Sequence, residues 1–228
     1  MKKADNTTRT LIGVILNLFI FVTTTSIMIY NICFRSGNSN PLGDFANGLG
    51  SLRMFTNESN LLCAIVALAA AVVAIFDFKA CAKKTHHLLR VFQLIATTMT
   101  TLTFTVVAVF LMPLYGIKTG RPLELLSGEM LFTHLITPIL AVLVFLFFTP
   151  DCTKFTLRDN FLAIVPVVLY GIIYFVNVVI IQVWPDFYSL TFGGQIQFVL
   201  VAFGVMVAIT FAIANLLLRG RKKQGIVC

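Results

Sequence analysis

The sequence predicts an all-α polytopic membrane protein of six transmembrane helices with its N- and C-termini both cytoplasmic. Three observations carry this expectation. The chain has 228 residues, 58% of them hydrophobic and only 11% charged, whereas a typical soluble domain carries about 25% charged residues. A chain so poor in charge cannot clothe a water-facing surface, and it needs lipid as its solvent. Six apolar stretches also meet the requirement of about 20 residues for a helix to cross the hydrocarbon. Finally, the Lys and Arg residues fall at the ends of those stretches, with a strong bias to one side.

The six predicted spans cover residues 11–34, 54–76, 88–111, 130–148, 161–183 and 195–218. The first is too long for a signal peptide and lacks a small-residue cleavage site, so it reads as a span. One side of the resulting topology holds thirteen basic residues: Lys2, Lys3, Arg9, Lys79, Lys83, Lys84, Arg90, Lys154, Arg158, Arg219, Arg221, Lys222 and Lys223. The other holds four, Arg35, Arg53, Lys118 and Arg121. Positive charge marks the cytoplasmic side, and an even number of spans places both ends there. No internal repeat or low-complexity tract interrupts the pattern, so residues 1–228 form a single transmembrane domain.

The formal net charge of +8 raises the question of nucleic acid, but basic residues at span ends are topology signals, and no nucleic-acid partner is expected. The five cysteines, Cys33, Cys63, Cys81, Cys152 and Cys228, show no metal or redox spacing. Cys63 reads as a small apolar residue inside a helix. No cofactor and no required protein partner are expected.

Polar groups inside a membrane are costly, and each needs a reason. The third span carries Thr97, Thr98, Thr100, Thr101, Thr103 and Thr105, whose hydroxyls can return to the backbone carbonyl one turn earlier. Asn17, Asn177 and Asn215 read as hydrogen-bond partners between helices. The first outer loop, from Arg35 to Arg53, is rich in glycine and reads as mobile or tightly turned. The last one contains Trp184-Pro185-Asp186-Phe187-Tyr188, whose Trp and Tyr suit the membrane interface.

Two places go further. At the outer start of the second span, Phe55-Thr56-Asn57-Glu58-Ser59-Asn60 puts Thr56, Ser59 and Asn60 on one helix face, because they are three and four residues apart. The competing reading is a helix cap with Glu58 as a first-turn acid. In the fourth span, Thr133-His134-Leu135-Ile136-Thr137-Pro138 contains the one histidine inside a span. His86 and His87 fall in a basic inner loop and read as solvated. No second ligand stands at metal spacing beside His134, so no metal site is expected. Pro138 removes the N–H that would serve the His134 carbonyl.

The second and fourth spans run in the same direction, and at 1.5 Å per residue Thr56 and His134 both lie within roughly 10 Å of the outer end. A hydroxyl beside an imidazole is a nucleophile beside its base. Such a pair suits a fatty acyl ester whose chains stay in the membrane lipid. Glu58, Glu129, Asn60 and Asn177 are the candidates for a third, orienting group, and Ser59 and Asn60 for contacts to substrate.

These motifs carry a resemblance. Phe55-Thr56 followed by Ser59-Asn60-Leu61-Leu62, His134 followed by Pro138, and Trp184-Pro185 before Phe187-Tyr188 resemble bacterial six-helix integral membrane proteins. Those are related to the androgen-induced and androgen-dependent membrane proteins of animals. The likeness covers most of the chain in span count and order. The animal members are intramembrane threonine hydrolases that cleave fatty acid esters of hydroxy fatty acids. The resemblance therefore implies that Thr56 is a nucleophile and His134 its partner, with the site toward the outer side of the cell membrane. Two details differ: the animal members have the asparagine one position nearer the threonine, and a Thr-Thr pair after the histidine. The alternative class is a small-molecule or lipid transporter or channel. Polar residues on several helices motivate it, and the lack of internal repeats weighs against it.

Overall fold

The computed structural model describes residues 2–34, 48–77, 87–149 and 155–223. Among them every regular element is helical, and six helices are long and apolar enough to cross a membrane. These are α1 (Thr7–Cys33), α2 (Phe55–Phe76), α3 (His87–Thr119), α4 (Glu129–Phe148), α5 (Leu157–Ile180) and α6 (Ile196–Lys222). The loop glycines before residue 48, together with Arg35, Lys79, Lys83, Lys84, Lys154, His86, Cys81, Cys152 and Cys228, lie outside the described residues.

The third span ends later and the fifth begins earlier than expected, each for a local reason. The third was expected to end at Leu111 but runs on to Thr119. Pro113 does not break it, because a π turn at Val107–Leu111 precedes the proline and the Met112 N–H reaches back to the Val107 carbonyl. The wider turn absorbs the proline ring and its missing donor. Gly120, at φ +72°, then ends the helix in the left-handed conformation. The fifth begins early because Thr156 and Asp159 form a reciprocal capping box at Leu157. Between α1 and α2, a short 3-10 helix at Gly48–Arg53 leads into α2.

The central element is α3, which contacts α2, α4, α5 and α6. Leu94 and Leu102 of α3 meet Phe145, Tyr174 and Val199 in a continuous buried cluster. A second cluster joins Ile20, Cys63, Val66, Ala96 and Val144 on the α1 side. Cys63 is buried there as a small apolar residue.

The polar residues follow one rule: in hydrocarbon, an N–H or O–H takes the nearest carbonyl. Thr100, Thr101, Thr103 and Thr105 donate to carbonyls four residues earlier, as expected. Thr98 departs from the pattern, its hydroxyl being buried with no partner among the described residues. The asparagines correct the sequence reading. Asn17, Asn177 and Asn215 each donate at 2.8 Å to a carbonyl of their own helix, four residues earlier, and not to a neighbouring helix.

At the end of the bundle that holds the chain termini, His87 is not simply solvated. Its ring is 3.0 Å from the Asp159 carboxylate. There too, Arg221 donates to the carbonyls of Phe145 and Thr149, at 2.8 and 3.1 Å. These belong to the last turn of α4, whose carbonyls have no partner within the helix, and the guanidinium lies over the Phe145 ring.

Gly13 of α1 packs closely on α4. A Cβ at Gly13 would stand 2.5 Å from the Phe148 carbonyl oxygen. Gly13→Ala is therefore expected to push the two helices apart and cost about 1–3 kcal/mol, the usual penalty for overpacking a core. The measurement is the thermal unfolding midpoint in detergent, and an unchanged midpoint would contradict the packing.

Candidate functional site

The site is assembled around the first turn of α2. Asn57 fixes its approach, donating from Nδ2 to the Ser51 carbonyl at 2.7 Å. Thr56 follows Phe55 inside the first turn, so it is not a capping residue. Its carbonyl accepts from the Ser59 hydroxyl at 2.9 Å and from the Asn60 amide at 2.7 Å. The shared face of Thr56, Ser59 and Asn60 read from their spacing is thus present. Ser59 and Asn60 are fully buried and tie α2 to its neighbours. The Ser59 hydroxyl lies 3.0 Å from that of Thr103 on α3, and Asn60 Nδ2 also donates to the Thr133 carbonyl on α4 at 3.1 Å. The Asn60 Oδ1 is buried with no partner among the described residues. Glu58 sits exposed in the same turn, where the helix dipole favours an acid.

His134 is buried in a π turn, Phe132–Ile136, directly before Pro138. The proline is again accommodated by the wider turn, in which the Thr137 N–H bonds to the Phe132 carbonyl. The imidazole Nδ1 lies 2.7 Å from the Leu125 carbonyl oxygen. A carbonyl can only accept, so Nδ1 carries the proton and the neutral ring presents the Nε2 lone pair. The orienting partner of His134 is therefore a backbone carbonyl. Of the four orienting candidates, Glu129 opens α4. Asn177 lies in the α5 π turn Val176–Ile180, where its side chain bonds within its own helix.

Thr56 and His134 are brought to neighbouring positions without direct contact. No hydrogen bond joins the Thr56 hydroxyl to the imidazole among the described residues. One amide nitrogen, that of Asn60, bridges the carbonyl of Thr56 and the carbonyl of the residue before His134. Thr56 instead lines a cavity of about 40 Å³ between α2, α3, α5, α6 and the loop at 181–195. Leu102, Val106, Phe110, Phe203 and Met206 make its walls apolar, and Thr103, Tyr170 and Tyr188 join Thr56 as its polar groups. His134 is not in the lining.

The sequence reading missed Tyr170 and the contact of Tyr188 with α2. The loop at 181–195 brings the Tyr188 hydroxyl to the start of that helix. There it accepts from the Phe55 N–H at 3.0 Å. Burial pushes the Tyr188 phenol up to about 12, so it stays protonated at physiological pH. Tyr170 donates to the Arg53 carbonyl at 2.9 Å. The turn signal Pro185-Asp186 was the available clue, since an Asp in a turn gathers nearby N–H groups. Asp186 accepts from the hydroxyls of Tyr174 and Thr191 and from the N–H groups of Leu190 and Thr191.

No protein-family model, curated protein or solved structure matches the chain.

Asp186 makes the loop sensitive to acid. Burial disfavours its charge, but the hydrogen bonds from Thr191, Tyr174 and Leu190 outweigh burial and hold the carboxyl below its ordinary value of 3.8. A carboxyl depressed in the folded state stabilises fully above its unfolded pKa and loses that contribution as pH falls through the folded one. Trp184, the single tryptophan, reports on the loop. Its emission is expected to be constant above about pH 5 and to shift as the pH falls below the ordinary carboxyl range. Asp186→Asn should shift the emission at neutral pH and remove the acid transition. Emission that is flat to pH 2 in both proteins would contradict this role.

Proposed function

We propose that this protein is an intramembrane hydrolase of a lipid-like ester, such as a fatty acid ester of a hydroxy fatty acid. Thr56 is the nucleophile and His134 the base. The observation that carries this reading is that Thr56 lines an apolar cavity between α2, α3, α5 and α6, a surface suited to an acyl chain. The His134 tautomer supports it, because a ring whose Nδ1 donates to the Leu125 carbonyl keeps Nε2 free to take a proton. The likeness of the Thr56 and His134 motifs to the threonine hydrolases supports it further.

In the proposed reaction His134 Nε2 takes the Thr56 proton as the Thr56 oxygen bonds to the ester carbonyl carbon. The tetrahedral species expels the alcohol, which leaves with the proton from His134, and Thr56 is acylated. Water then attacks the acyl group, giving its proton to His134, and the fatty acid leaves as the Thr56 oxygen is reprotonated. Catalytic hydrogen bonds are often long before substrate binds, so this step requires the imidazole to close on Thr56 in the complex. The basic bias of the sequence puts the termini in the cytoplasm and the site toward the outer face of the cell membrane. A transporter or channel draws less support, since Thr100, Thr101, Thr103 and Thr105 spend their hydroxyls on their own helix.

The test is turnover of an activated long-chain ester by the purified protein. Thr56→Ala and His134→Ala are each expected to lower it by about 100-fold or more, the range for loss of a nucleophile or its base. Turnover by both variants at the wild-type rate would overturn the proposal.

A further inference from the structure

The cavity that Thr56 lines is apolar, but its size limits what it holds. An apolar cavity that takes a benzene ring measures about 150 Å³, and this one measures about 40 Å³. It has room for the first carbons of an acyl chain, and a longer chain needs a wall to yield. Which wall that is follows from how each is held. Leu102, Val107 and Val167 are buried in the core. Five aromatic rings also line the cavity, those of Phe55, Phe110, Tyr170, Tyr188 and Phe203. Three of them are tied at the start of α2. Tyr170 bonds to the Arg53 carbonyl and Tyr188 to the Phe55 N–H, and Phe55 meets Tyr170 edge to face at 5.1 Å. Phe110 lies against the Phe192 ring of the loop at 181–195. Phe203 stands apart from all of these.

Phe203 belongs to α6, the least buried of the six spans, and is itself only half-buried. Having no polar atom, its side chain is held by packing alone. Its ring rests against Gly171 of α5. A Cβ at Gly171 would stand 2.8 Å from Cδ1 of that ring, 3.1 Å from Cε1 and 3.3 Å from Cγ. Carbon atoms in good contact are about 3.5–4.0 Å apart, so any side chain at 171 would displace the ring. Tyr174, one turn further along α5, meets Phe203 edge to face at 5.7 Å between centroids. Glycine inside a helix costs about 1 kcal/mol relative to alanine, and here it gives the ring a place against α5. The cavity is the unfilled space beside that ring.

We propose that Phe203 is a specificity-determining residue: its ring, resting on Gly171, sets the length of acyl chain that the cavity admits. The proposal rests on the reading of Thr56 as a nucleophile and of the cavity as the acyl site. Phe203 forms no bond to substrate and moves no proton. It acts by volume. Against Gly171 the ring leaves the cavity its present space, and displaced from Gly171 it takes that space up. Gly171 thereby contributes to substrate choice without lining the cavity.

The experiment measures kcat/KM of the purified, full-length protein on activated esters from acetyl to palmitoyl. Its readout is the ratio of the palmitoyl value to the acetyl value, which a fraction of misfolded protein does not change. Phe203→Ala removes the ring and is expected to raise the ratio about tenfold or more, the discrimination that a methylene's worth of pocket space gives. Gly171→Ala drives the ring into the cavity and is expected to lower the ratio by a similar factor. Combining Gly171→Ala with Phe203→Leu removes the clashing ring and should return the ratio towards wild type. A ratio that stays at the wild-type value in both single variants, or moves the same way in both, would overturn the proposal. The hydrolase reading would still stand in that case, provided Thr56→Ala has lost turnover. Turnover by Thr56→Ala at the wild-type rate would overturn the hydrolase reading and the role of Phe203 with it. A double variant that keeps the ratio of Gly171→Ala would overturn the part assigned to the contact between Gly171 and Phe203.

Discussion

The Asn60 side chain is the joint on which the half of the bundle that holds Thr56 and His134 depends. Its amide nitrogen donates to the Thr56 carbonyl within α2 and to the Thr133 carbonyl on α4, at 2.7 and 3.1 Å. In water such a bond would add little, because the free groups would bond to solvent. A fully buried amide among apolar side chains has no such alternative, and separating the helices would leave its donor unpaired. The amide therefore fixes the register of the two helices that carry Thr56 and His134. The unpartnered Asn60 Oδ1 faces the opposite requirement, since a buried acceptor without a donor is costly to keep.

Proline shapes α3 and α4 without breaking them. Pro113 and Pro138 each follow a π turn whose wider ring takes up the missing donor. The turn before Pro138 contains His134, which is buried and held by the Leu125 carbonyl from the short 3-10 helix Pro122–Leu126. Pro138 removes one donor from α4, and the π turn precedes it. Such turns recur at functional positions, and here the turn sets where along α4 the imidazole stands.

Much of this was legible in the amino-acid sequence. Span number and order follow from hydrophobicity, which is a local property. The face shared by Thr56, Ser59 and Asn60 follows from helical spacing, and the nearness of Thr56 and His134 in depth follows from counting residues along parallel helices. What escaped is of two kinds. The Leu125 carbonyl is a backbone group, and no residue type announces it. The contact of Tyr188 with Phe55 joins positions 133 apart, so it depends on how the last outer loop folds. The asparagines misled for a third reason: an amide in a span needs a partner, and periodicity cannot tell a carbonyl on its own helix from one on the next.

The central claim is that Thr56 becomes acylated during turnover. The most direct measurement is mass spectrometry of the peptide containing Thr56, after brief exposure of the protein to a long-chain ester and rapid quenching in acid. The account predicts a mass increase equal to the acyl group, located on Thr56 by fragmentation and absent from Thr56→Ala. Turnover of the ester with an unmodified Thr56, or with the acyl group on another residue that persists in Thr56→Ala, would contradict it.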